Sequence, residues 1–334
     1  STAQIKNASF AHFNKELEQC TAPNSIDLSD YDHEEILKNI FLKPFTQCYE
    51  TYSFWHPVSM DQNSLYACSK ELLSRDYFKQ FAIQVQAKLV DSSKHPNIKS
   101  GDFFVLQCED VLLKAQPTRA IALVKVESKS NFLDPSNHMD LKFKQGIGQQ
   151  KLDKGLLILE QDEDFTVLLI DNASRETEYW KNDFAKIKLK NDEVNSTNQM
   201  ISMAKTFISQ QIPHEYEVEK SDQIDLLNKS AGYFKNHDNF KRDEFEQEVF
   251  GGDTAVVESF RNYESACRSE ADIQPLEEFE ISKKAVQKHG KVFKSVLKLD
   301  KNFHIYIHGD KSLIRKGVDE SGKKYYQIFY EEEN

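Results

Sequence analysis

The stretch FFVLQCEDVLLKAQPTRAIALVKVE, residues 103–127, decides the fold of this chain. It contains three runs rich in Val, Ile, Leu and Phe, which are separated by short polar turns and are typical of β-strands. Two more runs of the same kind follow. The five runs lie at residues 103–107, 111–114, 120–127, 155–160 and 165–171. Short links favour antiparallel hairpins, because a parallel crossover needs about a dozen or more residues, so we predict a mostly antiparallel sheet.

Two amphipathic helices are predicted before these strands. Residues 34–45 and residues 77–89 space their apolar side chains at helical intervals. Each helix can therefore lay one apolar face on the sheet. The N-terminal part of the chain is predicted to be a sheet with packed helices.

The pattern changes to helix from residue 195 onward. Asn195 or Ser196 can cap a first helix, and Ser221 can cap a second. Residues 242–250 form a third helix that Gly251 ends, and a fourth follows it. This part of the chain is predicted to be a helical subdomain.

The C-terminal segment returns to strands. Runs at residues 292–299, 303–308 and 324–330 predict an antiparallel β-meander. The predicted fold class is therefore α+β, with a mostly antiparallel N-terminal sheet and packed helices, then a helical subdomain and the meander. The predicted domains are residues 1–194 and residues 195–334.

Length and charge limit both the architecture and the function. A chain of 334 residues exceeds the size at which single cores stop growing, about 250 residues, so two domains are expected. A formal net charge of −11 argues against a protein that coats nucleic acid over its whole surface, because such binding depends on Lys and Arg neutralising phosphates. Any contact with nucleic acid must be local.

The cysteines and the apolar runs indicate in which cellular compartment the protein is found. The chain has 5 Cys, an odd number, far apart and without a CxxC pair, which suits thiols in a reducing environment. It shows no apolar run near the roughly 20 residues that span a bilayer, and its N-terminus lacks the apolar segment of a signal peptide. We expect a cytoplasmic protein that does not bind a membrane.

One charge feature dominates the C-terminal third. Residues 238–280, the acidic block, hold 13 Asp and Glu against 4 Lys and Arg. Residues 283–301, the basic strip, hold seven Lys against one acid, Asp300. Two interpretations stay open. The strip contacts phosphates along a duplex, or the acidic block neutralises it and its lysines only protect an edge strand from aggregation.

Alternation within the predicted strand of the strip indicates which lysines point outward. Phe293, Leu297 and Leu299 share one face of that strand. Lys294 and Lys298 therefore project to the other face. Together with the lysines upstream they form the candidate nucleic-acid site. Its residues are Lys283, Lys284, Lys288, Lys291, Lys294 and Lys298.

A second, smaller basic stretch accompanies Trp180 and Phe184. Its lysines are Lys181, Lys186, Lys188 and Lys190. Aromatic rings beside lysines can stack on exposed bases. Such rings more often belong to the core, so burial is the favoured interpretation of both rings.

An enzyme-like pattern in the chain is weak. Glu127 and Lys129 stand in an ExK arrangement at the end of a predicted strand. With Asp102 or Asp110 they loosely match a layout in which carboxylates hold Mg²⁺ and a Lys lies near the attacking water. Matches this short arise by chance in a chain rich in charge. No catalytic residue, metal ion or cofactor is predicted.

Five segments resemble a known family. They are HPNIKSGDFFVL (95–106), KLDKGLLIL (151–159), YWKNDF (179–184), DQIDLLNKS (222–230) and VFKSVLKLDKNFHIYIHGD (292–310). The order of these segments and their amino-acid sequences resemble the bacterial nucleoid-associated NdpA-type family over nearly the whole chain. The resemblance implies association with the nucleoid and DNA binding, which we place on the basic strip. It carries over no catalytic residue, because the family has no catalytic signature.

Three hypotheses of function follow. The first is a non-enzymatic nucleoid protein that binds DNA through the basic strip, with the first domain serving for assembly or partner binding. The second is an adaptor whose acidic helices, residues 243–280, bind a basic partner such as a DNA-processing enzyme. The third is a Mg²⁺-dependent nuclease built on the ExK arrangement. A homodimer would let one short strip act twice on a duplex.

Overall fold

The chain divides into two compact units, unit 1 (Ser1–Lys190) and unit 2 (Asn191–Asn334). Unit 1 is built on an antiparallel sheet, and unit 2 is helical with small antiparallel sheets, so the predicted α+β class is confirmed. The computed structural model describes residues 3–113, 116–135, 141–149, 151–162, 164–172, 178–271, 277–289, 296–299, 301–306 and 313–332.

The centre of unit 1 is a nine-stranded sheet, counted over the described residues. The strands of unit 1 are β1 (Gln4–Asn14), β2 (Gln19–Cys20), β3 (Asn24–Ser25), β4 (Tyr52–Phe54), β5 (Gly101–Leu113), β6 (Gln116–Val126), β7 (Ser130–Pro135), β8 (Leu141–Gly146), β9 (Lys154–Gln161), β10 (Asp164–Asp171) and β11 (Ile187–Leu189). Their order in the sheet is β11, β4, β10, β9, β6, β5, β1 and β2, with β3 also paired to β1. All of these pairs are antiparallel, as predicted.

The stretch that decides the fold forms the long hairpin of β5 and β6. The predicted strands at 103–107 and 111–114 belong to one strand, because a bulge between Cys108 and Val111 lets the pairing with β6 continue. Asp110 in this bulge has a left-handed backbone with a φ of 54°. The strand positions are confirmed, and the break within β5 is a bulge rather than a turn.

Both faces of the sheet are buried, which explains why its strands are nearly continuous apolar runs. The helices of unit 1 are α1 (Tyr31–Leu37), α2 (Ser64–Ser74) and α3 (Phe78–Ser92), with shorter helical turns at Lys38–Leu42, Lys43–Gln47, Met60–Gln62 and Trp180–Ala185. Ile121 and Leu123 of β6 pack in one core with α2 and α3. Ala122 and Val124 pack in a second core, on the other face, with α1 and the turns that follow it.

The sequence analysis does not predict strand β1 or helix α2, each 11 residues long. Strand β1 pairs with β5 from Gln4 to Phe13. A register shift between Ile5 and Asn7 interrupts this pairing and moves the apolar residues out of strict alternation. The period-two pattern that identifies a strand is therefore weak here.

Strands β7 and β8 form a hairpin that is separate from the nine-stranded sheet. Leu133 lies opposite Phe143 across this hairpin, and Phe143 is 82% exposed. Phe132 and Leu141 are exposed as well. The hairpin thus carries apolar side chains outside both cores of unit 1.

Unit 2 begins with a helical region. Its helices are α4 (Glu193–Thr206), α5 (Ile212–Glu215), α6 (Lys220–Asn236), α7 (Arg242–Phe250), α8 (Thr254–Ala271) and α9 (Lys283–His289), with a helical turn at Phe207–Gln211. Helix α7 has the predicted bounds and ends at Gly251, whose φ is 66°. The core contains Phe207, Phe245 and Phe260, whose rings are in contact.

Two predicted helix caps are wrong by two to four residues. Asp192, rather than Asn195 or Ser196, caps α4 by accepting a hydrogen bond from the Asn195 backbone N–H at 3.0 Å. Glu219, rather than Ser221, precedes α6 and exchanges hydrogen bonds with the third residue of the helix. Several residues near each start can cap a helix, and the local sequence does not choose between them.

The strands of unit 2 form small antiparallel sheets. They are β12 (Asn239–Lys241), β13 (Glu278–Glu280), β14 (Val296–Leu299), β15 (Phe303–Tyr306), β16 (Ile314–Val318) and β17 (Lys324–Ile328). Over the described residues they pair as β12 with β13, β14 with β15 and β16 with β17. The antiparallel character of the C-terminal strands is as predicted, and these strands form separate hairpins.

The position of the domain boundary stays a prediction. A boundary after residue 194 would fall inside α4, which starts at Glu193. We therefore propose that, if the two units are independent domains, the chain crosses between them at residues 190–191.

In the described parts of the chain, no helix combines the length and the apolar character needed to cross a membrane.

Candidate nucleic-acid interface

Helix α9 carries three lysines of the basic strip. Ala285, Val286 and His289 are buried on one side of the helix, which contacts α4 and α6. Lys283 and Lys284 are exposed, and Lys288 is half-buried. The spacing of the buried residues thus sends two lysine side chains into solvent.

The start of α9 is anchored by hydrogen bonds. The Ser282 backbone N–H donates to Thr197 Oγ1 at 3.0 Å, and the Ile281 backbone N–H donates to the Asp238 carbonyl at 2.7 Å. The Lys283 ammonium lies 2.9 Å from an Asp238 carboxylate oxygen, in a pair whose side chains are more than three-quarters exposed. Such an exposed pair is worth little, so it leaves Lys283 available to a phosphate.

The end of α9 is held by His289. Its Nε2 donates to Asn198 Oδ1 at 3.0 Å, an assignment that follows from Oδ1 being an acceptor. Its buried Nδ1 has no hydrogen-bond partner in the part of the chain that is described. Burial first, and then the charges of Lys288 and Lys205, lower the pKa of His289. The ring is therefore neutral at pH 7.

We expect acidification to loosen α9 through this histidine. The pKa of His289 in the folded protein lies below its unfolded value of about 6.5, so the unfolded state binds the proton more readily and stability falls as the pH drops below 6.5. The slope from one group is at most about 1.4 kcal/mol per pH unit. Urea unfolding followed by circular dichroism at pH 7.5 and pH 5.5 measures this loss.

His289→Gln is the matched variant for this measurement, because a Gln amide can still donate to Asn198 and does not titrate. The variant should lose less stability than the native chain between the two pH values. Equal losses in the two proteins would show that His289 does not titrate on unfolding.

The other half of the basic strip is described only in part. Lys291 and Lys294 lie outside the described residues. Lys298 belongs to β14, where it stands opposite His304 of β15. The predicted outward pair of Lys294 and Lys298 therefore stays a prediction.

Three arginines of unit 2 form ion pairs with carboxylates of the acidic block. The ion pairs are Arg242 with Glu264 and Glu277, Arg261 with Asp243 and Glu246, and Arg268 with Glu264. Lys283 meets the acidic block at Asp238. These arginines are among the four basic residues already counted in the block, so their ion pairs occupy Glu246 and Glu264 but leave the block's excess of acids unchanged.

Comparison with protein families identifies the family of this chain. The model of the family described as nucleoid-associated protein YejK matches residues 5–334. The chain belongs to this family. No curated protein gives a significant match. The match covers both units, so the resemblance to a bacterial nucleoid-associated family is confirmed, and a nucleoid-associated role comes with it.

The nuclease arrangement does not assemble in this YejK family member. Asp102 lies 2.8 Å from the Lys129 ammonium and 2.9 Å from His12 Nδ1. Glu127 lies on the opposite face of the sheet, where its carboxylate is 2.8 Å from the Lys125 ammonium. Among the described residues no group of three or more His, Cys, Asp or Glu side chains is arranged to hold a metal ion. The carboxylates needed for Mg²⁺ therefore do not converge.

The second basic stretch is only partly a surface feature in this family member. Trp180 and Phe184 are fully buried and stack on each other in the core, as the favoured interpretation holds. Other aromatic rings lie beside these lysines: Tyr52 of β4 beside Lys181, and the exposed Trp55, just after β4, beside Lys188. The sequence analysis misses the Trp55 contact, because Trp55 is more than 100 residues away along the chain.

Proposed function

We propose that this chain is a non-enzymatic, cytoplasmic protein of the bacterial nucleoid that binds duplex DNA through phosphate contacts of the basic strip. The observation that carries the proposal is the exposure of Lys283 and Lys284 on α9, in a unit whose acidic block is partly paired with arginines. Lys288, Lys291, Lys294 and Lys298 extend the same site. A homodimer would present the strip twice to one duplex.

The adaptor hypothesis has less support from the geometry. A basic partner needs carboxylates that are open to it. Asp243, Glu244 and Glu248 of the acidic helices are exposed, but Glu246 and Glu264 are buried against arginines. Binding to either would have to break an existing ion pair. The adaptor therefore remains the second candidate.

Neutralising the described lysines of the strip should weaken DNA binding in a salt-dependent way. The test variant carries Lys283→Gln, Lys284→Gln and Lys288→Gln. If each lysine contacts one phosphate, the slope of log K against log salt should become less steep by about 2 to 3 units, because each contact releases about 0.9 counterion. Fluorescence anisotropy with a labelled duplex over a series of salt concentrations measures the slope.

The matched control removes three exposed lysines of unit 1, by Lys6→Gln, Lys79→Gln and Lys94→Gln. It changes the net charge of the chain equally. If the two triple variants have the same slope, the strip is not the DNA site. If the native chain does not bind duplex at physiological salt but retains a protein partner on purification, the adaptor hypothesis replaces this one.

A further inference from the structure

Trp55 is an exposed tryptophan beside a lysine. It follows β4 at the edge of the nine-stranded sheet, and 39% of its surface is exposed, whereas Trp180 is fully buried. The Lys188 ammonium, on edge strand β11, lies 4.1 Å from the centroid of the Trp55 ring. Nearby along the chain, Val58 is 74% exposed. A large ring that stays accessible next to a cation is a stacking surface for a flat ligand.

The backbone around this ring is held by a buried side chain. Asn63 is fully buried, and its Nδ2 lies 3.1 Å from the carbonyl oxygens of both Trp55 and Lys186. Its Oδ1 accepts hydrogen bonds from the first turn of α2. The Trp55 backbone N–H also donates to the Lys186 carbonyl, at 2.8 Å. One asparagine thus joins the residue that carries the ring to Lys186, the residue just before β11.

Lys186 has an unusual backbone conformation. Its φ is 50°, in the left-handed region, which is strained for a residue other than glycine. Strained residues of this kind persist where surrounding contacts hold them, and they concentrate at functional sites. Here the contacts to Trp55 and Asn63 hold Lys186 in place.

Lys186 also acts electrostatically on a lysine of α3, Lys88. Burial first, and then the positive charge of Lys186, lower the pKa of Lys88. Asp91, Asp183 and Cys68 act in the opposite direction and do not outweigh these two effects. A bound anion such as a phosphate would relieve the repulsion between the two lysines.

We propose that Trp55, Lys186 and Lys188 form a binding site for single-stranded nucleic acid. An unpaired base stacks on the exposed part of the Trp55 ring, and the flanking phosphates contact the ammonium groups of Lys186 and Lys188. The site lies in unit 1 and does not depend on the basic strip. It gives the protein a second mode of binding, to bases that are not paired.

Intrinsic tryptophan fluorescence tests the stacking directly. The chain has 2 Trp, and since Trp180 is fully buried, quenching by a ligand reports on Trp55. The probe is a 12-mer of deoxythymidine, compared with an abasic 12-mer that has the same phosphates but no bases. We expect quenching by the first probe and little by the second. A 12-mer of uridine, run in parallel, tells whether RNA is accepted as well as DNA, and quenching by either supports the site.

Trp55→Ala should weaken binding of a labelled deoxythymidine 12-mer by roughly 5- to 150-fold, the usual range for one base stacked on an aromatic ring. Trp55→Phe should recover part of this loss, because it keeps a smaller ring at an exposed position. The variant with Lys283→Gln, Lys284→Gln and Lys288→Gln should keep the quenching of the native chain, which separates this site from the duplex site. If the abasic 12-mer binds as tightly as the deoxythymidine 12-mer, or if Trp55→Ala binds as tightly as the native chain, the proposal is wrong.

Discussion

We expect Glu264→Ala to lower the free energy of unfolding of unit 2 by about 3–5 kcal/mol, the usual cost of removing one partner from a buried ion pair. Glu264 is almost completely buried and binds two guanidinium groups, those of Arg242 and Arg268. Arg242 Nη2 donates to Glu264 Oε1 at 3.2 Å and Arg268 Nε donates to the same oxygen at 2.6 Å. Without the carboxylate, two positive charges face each other inside the helical core.

Circular dichroism at 222 nm measures the loss, because the long helices of the chain are concentrated in unit 2. A loss of this size corresponds to a melting temperature lower by about 10 °C. The control is Glu244→Ala, which breaks an exposed pair with Lys241 and should change the stability by no more than about 0.5 kcal/mol. Equal melting temperatures for the two variants would show that the Glu264 pairs are not needed.

The same carboxylate makes unit 2 sensitive to acid. Burial alone would raise the pKa of Glu264, but the hydrogen bonds and charges of Arg242 and Arg268 outweigh burial and lower it. Because this pKa is lower in the folded state, the stability from Glu264 is present at neutral pH. It is lost as the pH falls from about 4.3 through the folded pKa.

We expect Lys125→Ala to lower the free energy of unfolding of unit 1 by a similar amount, about 3–5 kcal/mol. Lys125 is fully buried in the sheet. Its ammonium donates to the Lys99 carbonyl at 2.6 Å, to Glu127 Oε1 at 2.8 Å and to the Tyr179 hydroxyl at 3.2 Å. The substitution leaves the nearly buried Glu127 carboxylate without this partner and opens a cavity beside Tyr179.

Tryptophan fluorescence during urea unfolding measures this loss, since Trp55 and Trp180 both belong to unit 1. The double variant Lys125→Met with Glu127→Gln removes both charges and keeps the volume, so it should be more stable than Lys125→Ala. Lys6→Ala, which breaks an exposed pair with Glu109, controls for the loss of a surface lysine. If Lys125→Ala is as stable as Lys6→Ala, the buried lysine is not stabilising.

Lys125 also shows where sequence reasoning stops. Within AIALVKVE it stands as a polar residue near the end of an apolar strand, and nothing local separates it from a surface lysine. Antiparallel pairing places Lys125 opposite Lys154 and Lys154 opposite Asp171, whose carboxylate lies 2.5 Å from the Lys154 ammonium. The row of charges exists only because three strands from different parts of the chain meet in this register.

The two candidate sites also differ in how much of each can be predicted from the sequence. The basic strip is visible in the sequence because its seven lysines lie within one short segment, residues 283–301. Lys283 and Lys284 are exposed because Ala285, Val286 and His289 form the buried side of α9. The pairing of Trp55 with Lys188 is not visible, because it depends on β4 and β11 lying side by side at the sheet edge. A surface assembled from distant segments leaves no local pattern.

The sequence by itself determined the kinds of elements, the antiparallel pairing, the bounds of α7 and the family. The kinds of elements and the bounds of α7 depend on interactions within a few residues of each other, such as apolar spacing and a terminating glycine, and short links between strands favour antiparallel pairing. The tertiary structure alone decided that Trp180 is core while Trp55 is exposed, that Lys125 and Lys154 are buried, and that arginines pair with part of the acidic block. Burial and ion pairing are properties of the neighbours that a residue acquires on folding, and most of those neighbours are far away in the chain.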